Sequence, residues 1–184
     1  RTTPRIFLDY RKNNNDPHYS YVENEKVYLE LLESKGRTLV NSTVDELLAA
    51  IGNDRVIALA DGCYELSAAA DYGKFTGDKP YHWYETYDGY ELTLEGVTNL
   101  KLCGSGAANV TLCTKPRYAN VFRCVNGSNI CLSGLTVGHT EEPGTCGGGV
   151  LSFSDSAKLY VDACALYGCG TIGVEAICCS EVNV

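Results

Sequence analysis

The chain has 184 residues, which is long enough for one domain with its own hydrophobic core. Its formal net charge of −8 and its pI near 4.8 argue against nucleic acid or an anionic membrane surface as a partner. The sequence has no Met and no run of about 18 apolar residues, so neither a signal peptide nor a membrane span is predicted.

Residues 1–36 are predicted to form a lead-in that precedes the main domain, which covers residues 37–184. The first 20 residues are polar and basic and are expected to lie on the surface as a tail. Acidic and apolar residues over Tyr21–Ser34 predict a short helix that Gly36 closes. A strand is expected over Arg37–Val40.

The clearest helix is predicted over Ser42–Gly52. Its Ser-Thr start can cap the backbone, two acids fill the first turn, and the terminal Gly ends it. Such a helix could plug the open end of a stacked β-structure, which otherwise exposes unpaired backbone groups. The residues that follow predict two strands, at Arg55–Leu59 and at Tyr64–Leu66.

The segment Ala68–Tyr90 is rich in Gly, Asp and aromatic residues, and it predicts a long loop. Two interpretations stay open. The loop could be a flap packed over the wall of the domain, or its aromatic rings could form a stacking platform for sugars. In the second case the ligand-binding candidates are Trp83, Tyr81, Tyr84 and Tyr87.

From Glu91 onward a short phrase recurs, with a polar residue, alternating apolar residues and a turn of small residues. Its copies are Thr98–Gly104, Ser128–Gly134, Ala157–Ala163 and a fourth that starts at Val182–Val184. The polar positions are Asn99, Asn129, Lys158 and Asn183. They are separated by 129−99=30, 158−129=29 and 183−158=25 residues. Repeats of this length are typical of solenoids, propellers and arrays.

Two apolar columns follow from the same alignment. One contains Leu100, Ile130, Leu159 and Val184. The other lies five residues before each polar position and contains Leu94, Cys124, Phe153 and Cys178. The period of two, the constant phase and the lack of a helical period between copies predict an all-β parallel β-helix, a solenoid that begins with a capping helix.

Three asparagines share one position of the repeat: Asn99, Asn129 and Asn183. Asn tolerates the left-handed conformation of a tight corner, and stacked Asn side chains can hydrogen-bond along a ladder. The alignment therefore predicts an Asn ladder, interrupted at Lys158.

The ten cysteines make this a cysteine-rich chain, but they do not form the compact framework of a small disulfide-bonded protein. Stacked free thiols are favoured over a disulfide network. Cys124 and Cys178 are expected to behave as small hydrophobic residues inside the domain.

The segments Thr43–Ile51 and Val56–Tyr64 resemble the start of pectate-lyase-like right-handed parallel β-helix proteins. The segments Gly138–Gly144 and Leu166–Thr171 resemble a bacterial branch of β-helix-repeat proteins of unassigned function. The resemblance covers about residues 37–184 and implies a right-handed β-helix. The superfamily includes polysaccharide lyases, glycosidases, esterases and structural or adhesive members, so the fold alone implies no single activity.

The enzymes of that superfamily imply sites that are not evident here. A lyase of this kind needs several acidic residues around Ca²⁺, and a glycosidase needs paired carboxylates. The predicted outward rows contain Lys101, Cys131 and Tyr160, followed by Cys103, Ser133 and Asp162. Only Asp162 is acidic, and by this alignment Asp155, Asp162 and Glu175 lie on different faces. Neither a metal site nor a cofactor is predicted.

One further constellation comes from the repeat alignment, which brings His139 and Cys169 close together on adjacent units, with Cys146 in the loop after His139. Cys and His could form a nucleophile with its base, or part of a zinc site. The favoured interpretation is that they fill tight corners. The catalytic residues are therefore unknown, with His139, Cys146, Cys169 and Asp162 as weak candidates.

The sequence favours an extracellular or cell-surface β-helix module that binds a glycan or acts as a structural scaffold. The alternative is a carbohydrate-active enzyme, either a polysaccharide lyase or a glycosidase. Because no capping segment follows Asn183–Val184, the domain is expected to be incomplete there or to self-associate end to end, as in a filament. Arg5–Asp9 has the composition of a strand that could cover this end.

Overall fold

The chain folds mainly as parallel β-sheet, as a computed structural model describes it for residues 21–36, 38–106, 109–140, 147–168, 170 and 172–184. The lead-in tail, including Arg5–Asp9, lies outside the described residues. The elements are α1 (Tyr21–Ser34), β1 (Thr38–Asn41), α2 (Val44–Ala50), β2 (Arg55–Leu59), β3 (Gly62–Glu65), a 3-10 turn (Leu66–Ala68), β4 (Tyr81–Glu85), β5 (Tyr90–Glu95), β6 (Thr98–Gly104), β7 (Val110–Thr114), β8 (Phe122–Val125), β9 (Ser128–Ser133), β10 (Thr136–His139), β11 (Leu151–Ser154), β12 (Ala157–Asp162), β13 (Ala165–Leu166), β14 (Val174–Ile177) and β15 (Ser180–Asn183).

The strands belong to three sheets, which the chain visits in rotation. Sheet A has the order β1-β2-β6-β9-β12-β15, sheet B the order β13-β10-β7-β3, and sheet C the order β14-β11-β8-β5-β4. All neighbouring strands are parallel except β4 and β5, which are antiparallel. Successive copies of the repeated phrase are therefore neighbours in one sheet, as the alignment predicts.

The apolar columns form the core. Leu100, Ile130 and Leu159 occupy one register row of sheet A, and each is at most 1% exposed. Leu94, Cys124 and Phe153 occupy one row of sheet C and are equally buried. These three members of the second predicted column are confirmed.

The fourth copy lies two residues earlier than predicted. Leu159 pairs with Val182, not Val184, and Tyr160 pairs with Asn183. In sheet C, Phe153 pairs with Ala176. Cys178 is exposed, so its assignment to the inner column is wrong. The positive φ values of Cys178 and Glu181 show the reason, because the corner residues of this unit are not Asn.

The corners of the repeat are residues in the left-handed region. One corner column leads into the sheet A strands and has φ values of 54–59°; its members are Asp54, Asn99, Asn129, Lys158 and Glu181. Asn129 Nδ2 donates to Asn99 Oδ1 at 3.1 Å, and Asn99 Nδ2 donates to Asp54 Oδ1 at 2.7 Å. The predicted ladder therefore exists, but it begins at Asp54. The last corner of this column, predicted at Asn183, is formed by Glu181.

Helix α2 forms where the sequence predicts the clearest helix, and its first turn has a capping box. Thr43 accepts from the Glu46 backbone N–H at 3.2 Å, and the Glu46 carboxylate accepts from the backbone of Ser42 and Thr43. These hydrogen bonds lower the pKa of Glu46, with the bond from the Ser42 backbone contributing most. Leu47 of the helix and Ile51, the residue that follows it, are buried in the same cluster as the sheet residues.

Helix α1 has the predicted limits and packs on the outer side of sheet A. Its residues Tyr28, Leu29 and Leu32 are at most 3% exposed. They form a second apolar cluster with sheet residues Val56, Ala58, Cys103, Cys131 and Tyr160. Strands β2, β6, β9 and β12 of sheet A therefore have buried residues on both sides of the sheet.

The aromatic segment is not wholly a loop. Its second half is strand β4, which pairs antiparallel with β5 and makes a hairpin at the edge of sheet C. Tyr81 pairs with Leu94 and Trp83 with Leu92, so alternate residues of β4 extend the apolar side of the sheet. An edge strand of this type covers backbone groups that β5 would otherwise expose.

Candidate functional site

The outward rows predicted on sheet A are confirmed in register but are covered by α1. Lys101 and Cys131 are partners in one row, and Cys103 and Ser133 in the next. Asp162, the acidic candidate, binds Lys26 of α1 at 3.0 Å. A second ion pair joins Lys101 to Glu33 of the helix at 2.6 Å. These acids serve as partners for lysines that tie the helix to the sheet.

The His-Cys constellation is described only at His139, because Cys146 and Cys169 lie outside the described residues. His139 is 2% exposed, and its Nε2–H donates to the Ala119 carbonyl at 2.9 Å. Its Nδ1 lies so close to Gly168 that a Cβ on residue 168 would be 2.4 Å from this nitrogen. His139 therefore packs between chain segments. Within the described ranges no cluster of three His, Cys, Asp or Glu residues could hold a metal ion.

Two of the four predicted ligand-binding aromatics have packed rings. Tyr81 is 2% exposed, and Trp83 is half-buried against the core. Both donate to Asp71, Tyr81 Oη at 2.7 Å and Trp83 Nε1 at 3.1 Å, and Lys79 Nζ lies 2.8 Å from the same carboxylate. Desolvation raises the pKa of Asp71, but these three hydrogen bonds outweigh it and hold the pKa below its usual range.

The other two aromatics, Tyr84 and Tyr87, are exposed at 48% and 88%. The alternation of β4 explains Tyr84, since it pairs with Glu91 and points away from the core side that Tyr81 and Trp83 occupy. Tyr87 lies in the hairpin turn. Its ring contacts that of Tyr118, itself 45% exposed, with ring centres 5.1 Å apart.

The hairpin turn is fixed by Asp88. Its two carboxylate oxygens accept from the backbone N–H groups of Arg117 at 2.6 Å and Tyr118 at 3.1 Å. The turn also needs Gly89, because a Cβ there would lie 2.6 Å from Tyr72 Oη and 2.9 Å from Pro116. The exposed tyrosine pair is therefore held between two loops tied together by charge-assisted hydrogen bonds.

A row of polar residues runs across the outer side of sheet C, the side on which Tyr84 lies. Its members are register partners on five adjacent strands: His82, Thr93, Arg123, Ser152 and Glu175. The sequence alignment contained the signal for three of them, because Thr93, Arg123 and Ser152 each precede a residue of the confirmed inner column. The row was not recognised because the outward positions considered were those of sheet A.

Arg123 is the central cation of the row. Its Nη1 lies 3.4 Å from Glu91 Oε1, and its side chain is 39% exposed. Glu91 is otherwise occupied, since its Oε2 accepts from the backbone N–H and side-chain amide of Asn120 at 2.6 and 2.8 Å. Among the described residues, Arg123 Nε and the hydroxyl of its row partner Thr93 are buried without a hydrogen-bond partner. This pair has unused hydrogen-bonding capacity.

The two ends of the row carry further donors and acceptors. The Thr76 hydroxyl donates to the Tyr81 carbonyl at 2.8 Å, so it accepts from His82 Nδ1–H at 2.9 Å. His82 Nε2 lies 3.9 Å from Glu95. At the other end the Ser152 hydroxyl donates to Glu175 at 3.3 Å. The outer side of sheet C therefore combines exposed aromatic rings with polar groups suited to hydroxyl recognition.

No family model, no curated protein and no solved structure matches this chain. Within the described part of the chain, no helix has both the length and the apolar character needed to cross a membrane.

Proposed function

We propose that the protein is a right-handed parallel β-helix module that binds a hydroxyl-rich glycan chain on the outer side of sheet C. The three sheets are the three faces of the β-helix, and helix α2 is its N-terminal cap. The module acts outside the cytoplasm as a carbohydrate-binding scaffold.

The rotation of the chain through the sheets supports the fold proposal. Each unit contributes one strand to sheet C, then one to sheet A and one to sheet B, as β8, β9 and β10 do. Parallel pairing places each unit on the one before it, so that its apolar side is buried by its neighbours. The left-handed corners recur at the same place in successive units, as stacking requires.

The functional proposal depends on the exposed pair Tyr87 and Tyr118, whose loops are joined by hydrogen bonds to Asp88. Exposed aromatic rings lose little conformational entropy on binding when their backbone is already fixed, and Asp88 fixes both loops here. A tyrosine ring offers an apolar face to the C–H side of a sugar, and its hydroxyl can bond to the sugar's polar edge.

The polar row supplies the hydrogen bonds that would orient the sugar. Its five strands are separated by four steps of about 4.8 Å, so the row is about 19 Å long. Arg123 can donate to hydroxyl or ring oxygens, and Glu175 and His82 Nε2 can accept from hydroxyls. The row contains one cation, Arg123, and one anion, Glu175, so its formal charges cancel, which favours neutral glycans over polyanionic ones.

Glycan-array screening followed by titration calorimetry on the best neutral oligosaccharide tests this proposal. Tyr87→Ala and Tyr118→Ala should each weaken binding about tenfold or more, as loss of one aromatic stacking contact does. Arg123→Ala should weaken binding without abolishing the contribution of the tyrosines.

Tyr167→Ala is the matched control, because Tyr167 is also a tyrosine of 43% exposure but lies beside sheet B. It should leave glycan affinity unchanged. Equal losses in the control and the two sheet C variants would contradict the proposed face. Binding of uronate polymers alone, with no neutral glycan bound, would contradict the proposed ligand class.

A further inference from the structure

Two cysteines on the outer side of sheet B have sulfur atoms in contact. The Sγ atoms of Cys63 on β3 and Cys113 on β7 lie 3.0 Å apart, and both thiols are free. They are diagonal neighbours, because Cys63 pairs with Thr111 and Cys113 pairs with Glu65. A disulfide has an S–S length of about 2.05 Å, so bond formation needs an approach of about 1 Å.

The two thiols differ in access. Cys63 is exposed, whereas Cys113 is 1% exposed. Tyr167 lies near both thiols. Its ring passes over Gly138, the register partner of Cys113, where a Cβ would lie 2.5 Å from the ring. A reagent can therefore reach Cys63 directly, while Cys113 lies behind it.

The thiols also have different chemical surroundings. Burial, followed by the contact with Cys63, raises the pKa of Cys113 to about 12. An ion pair between Lys115 and Glu65, 3.1 Å apart, lies beside Cys113. Only the exposed thiol is placed to start a reaction with a soluble reagent, since the thiolate is the nucleophilic form.

We propose that Cys63 and Cys113 form a two-cysteine exchange site for low-molecular-weight disulfides, with Cys63 as the attacking residue and Cys113 as the resolving residue. The Cys63 thiolate attacks one sulfur of the incoming disulfide, forms a mixed disulfide and releases the first thiolate. Cys113 then attacks the Cys63 sulfur and displaces the second thiolate, which takes up the Cys113 proton. Two protein thiols are oxidised, and one small disulfide is reduced to two thiols.

The position of β3 allows the small movement that this reaction needs. β3 is the edge strand of sheet B and is bonded to β7 on one side only. Its first residue, Gly62, has a φ of 148°, a conformation that favours glycine and lies next to Cys63. The edge strand can therefore adjust without disturbing a second strand.

A second cysteine pair provides an internal control. Cys103 and Cys131 on sheet A are also diagonal neighbours on adjacent strands, although the diagonal runs in the opposite sense, since Lys101 pairs with Cys131 and Cys103 with Ser133. Both are nevertheless buried beneath α1, at 6% and 3% exposure. If access decides the reaction, this pair stays reduced while the first pair is oxidised.

The test uses the full chain, reduced and then incubated with glutathione disulfide, followed by acid quench, alkylation of free thiols and peptide mass mapping. The expected result is the loss of two alkylatable thiols and a disulfide joining the peptides of Cys63 and Cys113. Cys103 and Cys131 should remain alkylatable.

Two variants separate the roles. In Cys113→Ser, the mixed disulfide with glutathione should accumulate at Cys63, because no resolving thiol is present. In Cys63→Ser, oxidation of Cys113 should be about tenfold slower or more, because the remaining thiol is buried. Circular dichroism of both variants checks that the fold is retained.

The wild-type map alone can overturn the proposal, so the test does not depend on the variants folding. A persistent mixed disulfide at Cys63 beside an alkylatable Cys113 would exclude the resolving role. Oxidation of Cys103 and Cys131 at the same rate would show that access does not select the site. The site is independent of glycan binding, which takes place on sheet C.

Discussion

The outer sides of sheets A and C differ in exposure, although the same repeated units contribute strands to both sheets. The outer side of sheet A is covered by α1, whose Leu29 and Leu32 are almost fully buried. Its acids Asp162 and Glu33 are occupied by lysines. The outer side of sheet C carries exposed tyrosines, a half-exposed Arg123 and buried polar atoms without protein partners.

The difference shows that residue type alone does not identify a binding face in a repetitive fold. Both sides carry charged residues, and two pairs of ionisable groups are found on each among the described residues. On sheet A these charges bind α1 to the sheet, whereas on sheet C Arg123 has donors to spare. Free hydrogen-bonding capacity, rather than charge, separates the proposed ligand face from the covered face.

The largest effect is expected in the core that lies behind both faces. Phe153→Ala should lower the free energy of unfolding by about 3–5 kcal/mol, because the ring is 1% exposed and packs against Phe122 with ring centres 6.4 Å apart. Chemical denaturation measures the loss. A cost below about 1 kcal/mol would show that Phe153 is not part of the core.

A smaller loss should follow when sheet A is uncovered. Leu29→Ala should cost about 3 kcal/mol, since it removes a buried side chain between α1 and the sheet. It should also make Cys103 and Cys131 react faster with a thiol reagent. Glu30→Ala, on the exposed side of the helix, is the control and should change stability by less than about 0.5 kcal/mol. Unchanged thiol reactivity in Leu29→Ala would mean that the helix does not shield the sheet.

Substitution of Glu91 tests how much its hydrogen bonds stabilise the outer side of sheet C. Glu91→Gln should cost about 2 kcal/mol, because the buried carboxylate accepts two hydrogen bonds from Asn120 and neutralises Arg123. Glu175→Gln should cost less than about 0.5 kcal/mol, since Glu175 is half-exposed and has one long hydrogen bond, to Ser152. Thermal and urea unfolding of both variants give the comparison. Equal costs would contradict the central role of Glu91.

The smallest expected effect is the contribution of Asp71, beside the edge strand of sheet C, to stability at low pH. Because hydrogen bonds lower the pKa of Asp71, its carboxylate contributes stability above the usual carboxyl pKa of about 3.9. That contribution is lost as the pH falls through the lowered folded-state value. Asp71→Asn should therefore cost about 1 kcal/mol at pH 7 and flatten the stability profile below about pH 4. Identical acid profiles of the variant and the wild type would exclude this role.

Local sequence patterns predicted much of the fold. Helix α1 and strand β2 have the predicted limits, and helix α2 is the predicted helix shortened by its Thr43 cap. The first three copies of the phrase were aligned correctly because Asn99 and Asn129 mark equivalent corners and alternation fixes the phase of each strand. These features depend on residues close together in sequence.

The remaining features depend on contacts that local pattern does not contain. The last unit was misaligned because Asn183 resembles a corner residue, whereas the corner is Glu181. Strand β4 was not predicted because it lies outside the repeat and pairs antiparallel with β5. The docking of α1 on sheet A could not be predicted either, since an apolar helix face does not specify its partner. Because α1 packs there, the outward residues of sheet A, including Asp162, contact the helix.

Because the corner residues recur at equivalent positions, one whole unit could be removed without changing the register of the others. Asn99 and Asn129 have the same backbone conformation and lead into strands of the same register, so removal of residues 99–128 would join Thr98 to Asn129 without changing the alternation. Such a deletion would remove both Arg123 and Tyr118. In a protein built this way, the length of a binding surface can change by whole units. Each remaining strand keeps its alternation of inward and outward residues.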